Sequence, residues 1–289
     1  MKKWISPFLT GLALLCLGGF SGASAQEFKE HLQKEFSVSA AATARLAIYN
    51  LNGPIKVEGY AGDKVIVAID KVITADDSDR LNMGKAEFRL GFDQHGDSIT
   101  VYIAEPIDTR PHKWERWEGD NRNIEYDFQL SFVVRVPYAM NLVVSTVNRG
   151  DIVVKDVAGA LDVNNVNGPI TIKNAKGATR ARTINGDLTV NYLDMPATPS
   201  DYYTLNGTLS VTYPANMSGI CQFKSMNGSF YTDFPDVEIL PAQVTKNQEQ
   251  TGKGLMYKLN IAKRIKIGGG GKLFKFETMN GDIYIKKQS

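Results

Sequence analysis

The chain has 289 residues, with 33 basic against 31 acidic side chains and 43% hydrophobic residues. Removing a leader that carries Lys2 and Lys3 leaves 31 basic against 31 acidic side chains. A neutral chain has no general electrostatic pull toward nucleic acid or anionic lipid, so a nucleic-acid partner is not expected.

The leader comes first along the chain. Lys2 and Lys3 form a positive n-region, Phe8 to Phe20 an apolar h-region, and Ala23-Ser24-Ala25 a cleavage site, so residues 1–25 read as a signal peptide. Cys16 lies inside the apolar run, and Cys221 is then the single cysteine of the mature chain. An exported chain without a disulfide depends on its core and its ladder hydrogen bonds. No later stretch reaches the ~20 apolar residues of a transmembrane helix.

Residues 26–135 read as a β-rich N-terminal region. Arg45–Tyr49, Ile55–Val57, Val65–Ile69, Phe88–Leu90, Ile99–Ile103 and Tyr126–Val136 alternate or run apolar, and Asp76 to Lys85 is the one short helix expected. His95 falls in a hairpin turn, Asp93 to Asp97. An insertion at 104–127 interrupts the pattern with Arg110, His112, Trp114, Arg116, Trp117 and Arg122 among acids, Pro and Gly. Trp and Arg anchor interfaces and stack on sugar rings, so these six residues are the candidate contacts to a glycan or protein partner. The competing reading folds Trp114 and Trp117 back as a lid on the core.

Residues 136–289 are dominated by a repeat: a small polar residue, an apolar residue, Asn-Gly, any residue, then apolar-x-apolar. Its turns are Asn52-Gly53, Asn167-Gly168, Asn185-Gly186, Asn206-Gly207, Asn227-Gly228 and Asn280-Gly281, with Asn148-Arg149-Gly150 as a copy carrying one insertion. Glycines at 150, 159, 168, 177 and 186 fall nine residues apart, and successive Asn-Gly turns fall 18 and then 21 apart. Apolar pairs follow in step, with a weak pair at Thr179/Ala181. An isolated Asn-Gly between apolar alternations signals an antiparallel hairpin. A fixed period of 18 with a half-period of nine fits stacked coils of two strands and two turns, a parallel β-solenoid. Gly and Asn supply the positive φ of such turns, and the asparagines would stack and hydrogen-bond along the axis. The polar stretch Gln243–Gly254 reads as an exposed loop, Gly268–Gly271 as a flexible turn, and the last Asn-Gly coil as the closure of the array, with Lys286 and Lys287 as edge charges.

The coils at Ser145–Asn148, Arg182–Val190 and Glu277–Ile283 resemble the serial repeats of the bacterial exported putative-adhesin family, a β-strand-repeat domain of unknown function. The resemblance extends to the leader, the lone coil at Asn52, the entry strand from Val136-Pro137 to Val143 and the Gly-rich turn before the last coil. It departs at Arg149, in residues 235–255 and in the enlarged segment 104–127. It implies a β-helix-like fold and an envelope location, and no catalytic residues.

Sites for chemistry are sparse. His31, His95 and His112 have no metal-ligand spacing, no nucleophile elbow is present, and neither a metal nor a cofactor is expected. The outward residues Lys155, Asp162, Lys173, Arg180, Arg182 and Thr189 form no acidic pair of the kind a glycosidase uses. Asp151, Asp187 and Asp282 follow turn glycines but lack the regularity of a calcium roll. Arg149-Gly150-Asp151 coincides with a repeat turn. The expectation is a non-catalytic envelope binding scaffold; the alternatives are a periplasmic stress or signalling accessory and a carbohydrate-active enzyme. Replacing Trp114 and Trp117 together with Ala is expected to abolish surface or glycan binding without altering the β-rich circular dichroism. Unchanged binding would exclude the insertion as the contact surface.

Overall fold

A computed structural model describes residues 26–111, 124–251 and 254–289, with only the backbone of 243–251 and 254–261. In chain order the first elements are β1 (Gln26–Ser37), β2 (Arg45–Tyr49), β3 (Ile55–Tyr60), β4 (Lys64–Ala75), α1 (Ser78–Glu87), β5 (Arg89–His95), β6 (Ser98–Glu105) and β7 (Asp127–Pro137). Short strands follow: β8 (Asn141–Ser145), β9 (Ile152–Lys155), β10 (Leu161–Asn164), β11 (Ile170–Ala175), β12 (Thr179–Asn185), β13 (Leu188–Tyr192), β14 (Asp201–Asn206) and β15 (Leu209–Tyr213). The last are β16 (Gly219–Lys224), β17 (Phe230–Thr232), β18 (Val237–Thr251), β19 (Gly254–Ile267), β20 (Leu273–Asn280) and β21 (Ile283–Lys287).

The fold is all-β, with two large sheets. One runs β1-β4-β7-β3-β9-β11-β13-β15-β21-β17, the other β18-β19-β16-β20-β14-β12-β10-β8-β2-β6-β5. From β8 to β15 the chain crosses from one sheet to the other at every turn, and each strand pairs in parallel with the strand two places on. Parallel registers carry identical positions into vertical rows. Ile152, Ile170, Leu188, Leu209 and Ile283 form one fully buried row, and Val154, Ile172, Val190, Val211 and Ile285 the next. Each such side chain contributes roughly 1.5–3 kcal/mol through its removal from water.

The corner between the sheets is made of stacked Asn-Gly turns. Asn148 donates its side-chain amide to Asn52 (3.4 Å), Asn167 to Asn148 (2.8 Å), Asn185 to Asn167 (2.9 Å), Asn206 to Asn185 (2.9 Å), Asn280 to Asn206 (2.7 Å) and Asn227 to Asn280 (2.8 Å). The small polar residue two places earlier points inward and caps a glycine carbonyl of the coil below. Thr183 bonds Gly168 O at 2.9 Å, Thr204 bonds Gly186 O at 2.9 Å, and Asn165 bonds Gly150 O at 3.0 Å. Asp187 and Asp282, which follow their turn glycines, accept the N–H of Thr208 and Ser229 on the neighbouring coil.

The glycines are required mainly by close approach. A Cβ on Gly186 would lie 2.4 Å from the carbonyl oxygen of Gly168, and that oxygen belongs to backbone that cannot yield. The expected positive φ occurs at Gly53, Gly207 and Gly281; Gly168, Gly186 and Gly228 lack it, and the inserted Arg149 takes it instead with φ 58°.

Three features of the chain's path differ from the reading of the sequence. The last Asn-Gly coil does not close the array: β20 lies between β14 and β16, and β21 between β15 and β17. There Ile283 and Ile285 are covered on both sides, so Lys286 and Lys287 lie on an interior strand. Residues 243–251 are not a loop but part of a long antiparallel hairpin with β19, where they pair with a strand that alternates Leu255, Tyr257, Leu259 and Ile261. The strand β1, pairing along its whole length with β4, was also not foreseen. At the N-terminal end the same displacement occurs, with β2 between β6 and β8 and β3 between β7 and β9. Both sheets therefore contain strands from before and after residue 136.

Where the row would be thin, at Thr179 and Ala181, aromatic side chains from neighbouring coils supply the volume. Tyr202 stands beside Ala181 in register, Tyr192 and Tyr213 stack at 5.0 Å, and Tyr202 bonds both of their hydroxyls (2.7 and 3.1 Å). Burial pushes the pKa of Tyr202 and Tyr213 well up, and that of the nearby Cys221 thiol up to about 12.

Gly186→Ala is expected to cost ~2–3 kcal/mol in urea unfolding through backbone overlap. Gly96→Ala, at φ 58° with nothing within 4 Å, should cost about 1 kcal/mol from conformation alone. Equal losses would show that stacking does not select the corner glycine. A second expectation concerns alkali. The folded state holds the Cys221 proton more tightly than the unfolded chain, so the stability it contributes is complete below the ordinary value near 9 and is lost as the pH climbs toward about 12. Urea midpoints should fall over that range, and Cys221→Ala should flatten the decline; an unchanged slope would contradict it.

Candidate functional site

Parallel stacking also aligns the residues that face solvent. On the outer face of the second sheet, Asn164, Arg182, Tyr203, Glu277 and Lys224 share one rung across β10, β12, β14, β20 and β16. Asp162, Arg180, Asp201, Lys275 and Gln222 share the next. Neighbouring strands lie ~4.8 Å apart, so the rungs are closely spaced rows of donors and acceptors on a fixed lattice. Asn164 donates to Asp162 at 2.8 Å, Arg182 pairs with Asp201 at 3.5 Å, and Lys224 pairs with Glu277. The half-buried Tyr203 ring stands among these charges.

Two depressions mark this face. One, of about 670 Å³, is lined by Asn164, Val166, Arg182, Ile184, Tyr203 and Glu277 among others. The second, of about 500 Å³, lies beside it over Asp162, Arg180, Ser200 and Leu273, and the two share Asp201 and Lys275. An aromatic face ringed by oriented donors and acceptors can hold a polar, ring-containing ligand and fix its orientation.

Of the six candidate contacts in the insertion, Arg110 is described, and His112, Trp114, Arg116, Trp117 and Arg122 lie outside the described residues. The Arg110 guanidinium lies over the Tyr102 ring, 4.1 Å from its centre, and pairs with Asp108 at 2.6 Å and Asp93 at 3.3 Å. The Asp108 hydrogen bond raises the pKa of Arg110, and burial raises that of Tyr102. Beyond the insertion, Ile124–Asp127 line a depression of about 470 Å³ together with Arg80, which bonds Glu125 at 3.2 Å. Both flanks of the insertion thus sit at the N-terminal end of the sheets.

Other residues singled out in the sequence are not brought together. Of the outward residues, Lys173 lies on the first sheet and Arg180 and Arg182 on the second. Arg149 of the Arg-Gly-Asp turn pairs with Asp127. The asparagines and glycines of the turns are engaged in the corner itself. The polar rungs were read only in part, at the outward Asp162, Arg180 and Arg182; Lys275 and Glu277, which alternate with buried Phe274, Phe276 and Thr278, join them because β20 reaches its place after a long excursion.

No protein-family model matches the chain, and no curated protein matches it. Among solved structures, a putative cell adhesion protein from Clostridium sporogenes is similar over 90% of this chain and 100% of its own, at 10% identity and a TM-score of 0.44. A putative adhesin from Bacteroides fragilis is similar over 90% and 97%, at 10% identity and 0.35. A putative adhesin from Parabacteroides merdae is similar over the same shares, at 9% identity and 0.31. These likenesses are distant, and no role passes from them to this chain. Among the described residues no helix is long and apolar enough to cross a membrane.

Proposed function

We propose that this chain is an exported, non-catalytic binding scaffold of the bacterial cell envelope, a two-sided β-solenoid that presents the polar rungs of its second sheet to a glycan. One observation carries this reading. The Asn-Gly corner engages its polar groups internally, while the outer face keeps two regular rows of charged side chains around Tyr203. Rows of alternating sign suit an oligosaccharide that carries both hydroxyls and charged groups, since each sugar can find a donor and an acceptor at fixed spacing. Rigid strands hold these groups in place before binding, which lowers the entropic cost of association.

Binding to an array of neutral and uronic-acid-containing oligosaccharides tests the ligand class. Tyr203→Ala is expected to weaken capture roughly tenfold through loss of ring stacking, and Arg182→Ala to weaken the charged ligands selectively. A blank array, or capture indifferent to both changes, would remove this face as the site. Protease treatment of intact cells tests the location: an adhesive role requires digestion from outside. Protection until the outer membrane is opened would leave the periplasmic accessory role.

A further inference from the structure

The first sheet ends at β17, whereas the second continues past its partner β16 with β19 and β18. Register shows which way those added strands face. Cys221, buried in the core, is opposite Ile265, and Ile265 is opposite Ile239; Phe223, also buried, is opposite Lys263. Ile265, Ile239 and Lys263 therefore continue the inner face beyond the point where the opposing sheet has stopped. The result is an apolar slot of about 460 Å³ lined by Phe223, Phe230, Val237, Ile239, Ile265 and Lys263. Ile239 is 84% exposed there.

One cation attends the slot. The Lys263 ammonium lies 5.4 Å from the centre of the Phe230 ring, and it pairs with no carboxylate among the described residues. Arg264 is opposite Gln222 of the outer polar rung, so its side chain leaves from the other face of the sheet. A second copy docking end to end would bring Lys263 against its own counterpart. A strand laid over the slot as a continuation of the first sheet would find only the three residues of β17 to pair with, and such a short edge is a poor template; the free edge of β18 lies on the far side of the hairpin. An acyl chain needs no backbone pairing. It can fill a narrow apolar slot while an acidic head reaches the lysine.

We propose that the open end between β17 and the β18–β19 hairpin binds a single-chain anionic amphiphile, with its tail over Ile239 and Ile265 and its carboxylate at Lys263. The site lies away from the polar rungs and does not depend on the glycan reading.

The test uses the mature chain, residues 26–289, and the fluorescence of a dansyl-labelled undecanoic acid. Saturable enhancement is expected, with displacement by dodecanoate and at least tenfold weaker displacement by dodecanol. Ile239→Asp should abolish binding, Lys263→Glu should weaken it about tenfold, and Tyr203→Ala should leave it unchanged. Ile239 is exposed, so unchanged circular dichroism and thermal midpoint will certify that variant as folded. No saturable binding, equal displacement by acid and alcohol, or binding indifferent to Ile239→Asp would each overturn the proposal. Light scattering that shows a dimer broken by Ile239→Asp would identify another copy as the occupant and overturn it equally.

Discussion

The closeness of one backbone turn to the next governs this molecule. At the Asn-Gly corner a glycine Cα rests against the carbonyl of the glycine one coil below, near enough that no side chain fits between them. The parallel backbone ladder holds the coils at that spacing, which admits only glycine at the corner and brings each Asn amide within hydrogen-bond reach of the next. Once the corner is locked in register, the apolar rows inside and the polar rungs outside are aligned without further instruction. Core and surface are both downstream of the corner.

The corner was legible because its chemistry is local: Asn, Gly and a small polar residue at fixed offsets, repeated with a period of 18 or 21 residues. The short helix expected from Asp76 to Lys85 lies at Ser78–Glu87, where the Asp77 carboxylate caps the Arg80 N–H. The order of coils in space was not legible. Nothing near Asn280 states that its neighbours are Asn206 and Asn227 rather than the end of the stack. That placement follows from how well Ile283 and Ile285 fill a gap between two distant coils. The hairpin of β18 and β19 stayed hidden because residues 243–251 have the composition of a loop, although Leu255, Tyr257, Leu259 and Ile261 alternate along the strand they pair with.

The candidate surface shares this limit. Arg182 and Asp201 sit on consecutive strands of one sheet and could be paired from the period alone. Glu277 and Lys224 join them only because the final coil is interleaved. The Trp-bearing insertion stood out in the sequence by breaking the pattern. The rungs conform to the pattern, so each of their positions reads as the ordinary solvated face of a strand.

Interleaving has a bearing on biogenesis. A polypeptide made from its N-terminus delivers residues 273–287 last, yet β17, and β16 on its inner side, take their places against those residues. The array can grow from β8 through β15 as each coil arrives, but it cannot be completed until synthesis has finished. The outer coil must wait, unstacked, for the C-terminus to thread in ahead of it. Late completion of the stack, with its unfinished end exposed until then, is thus written into the order of the strands.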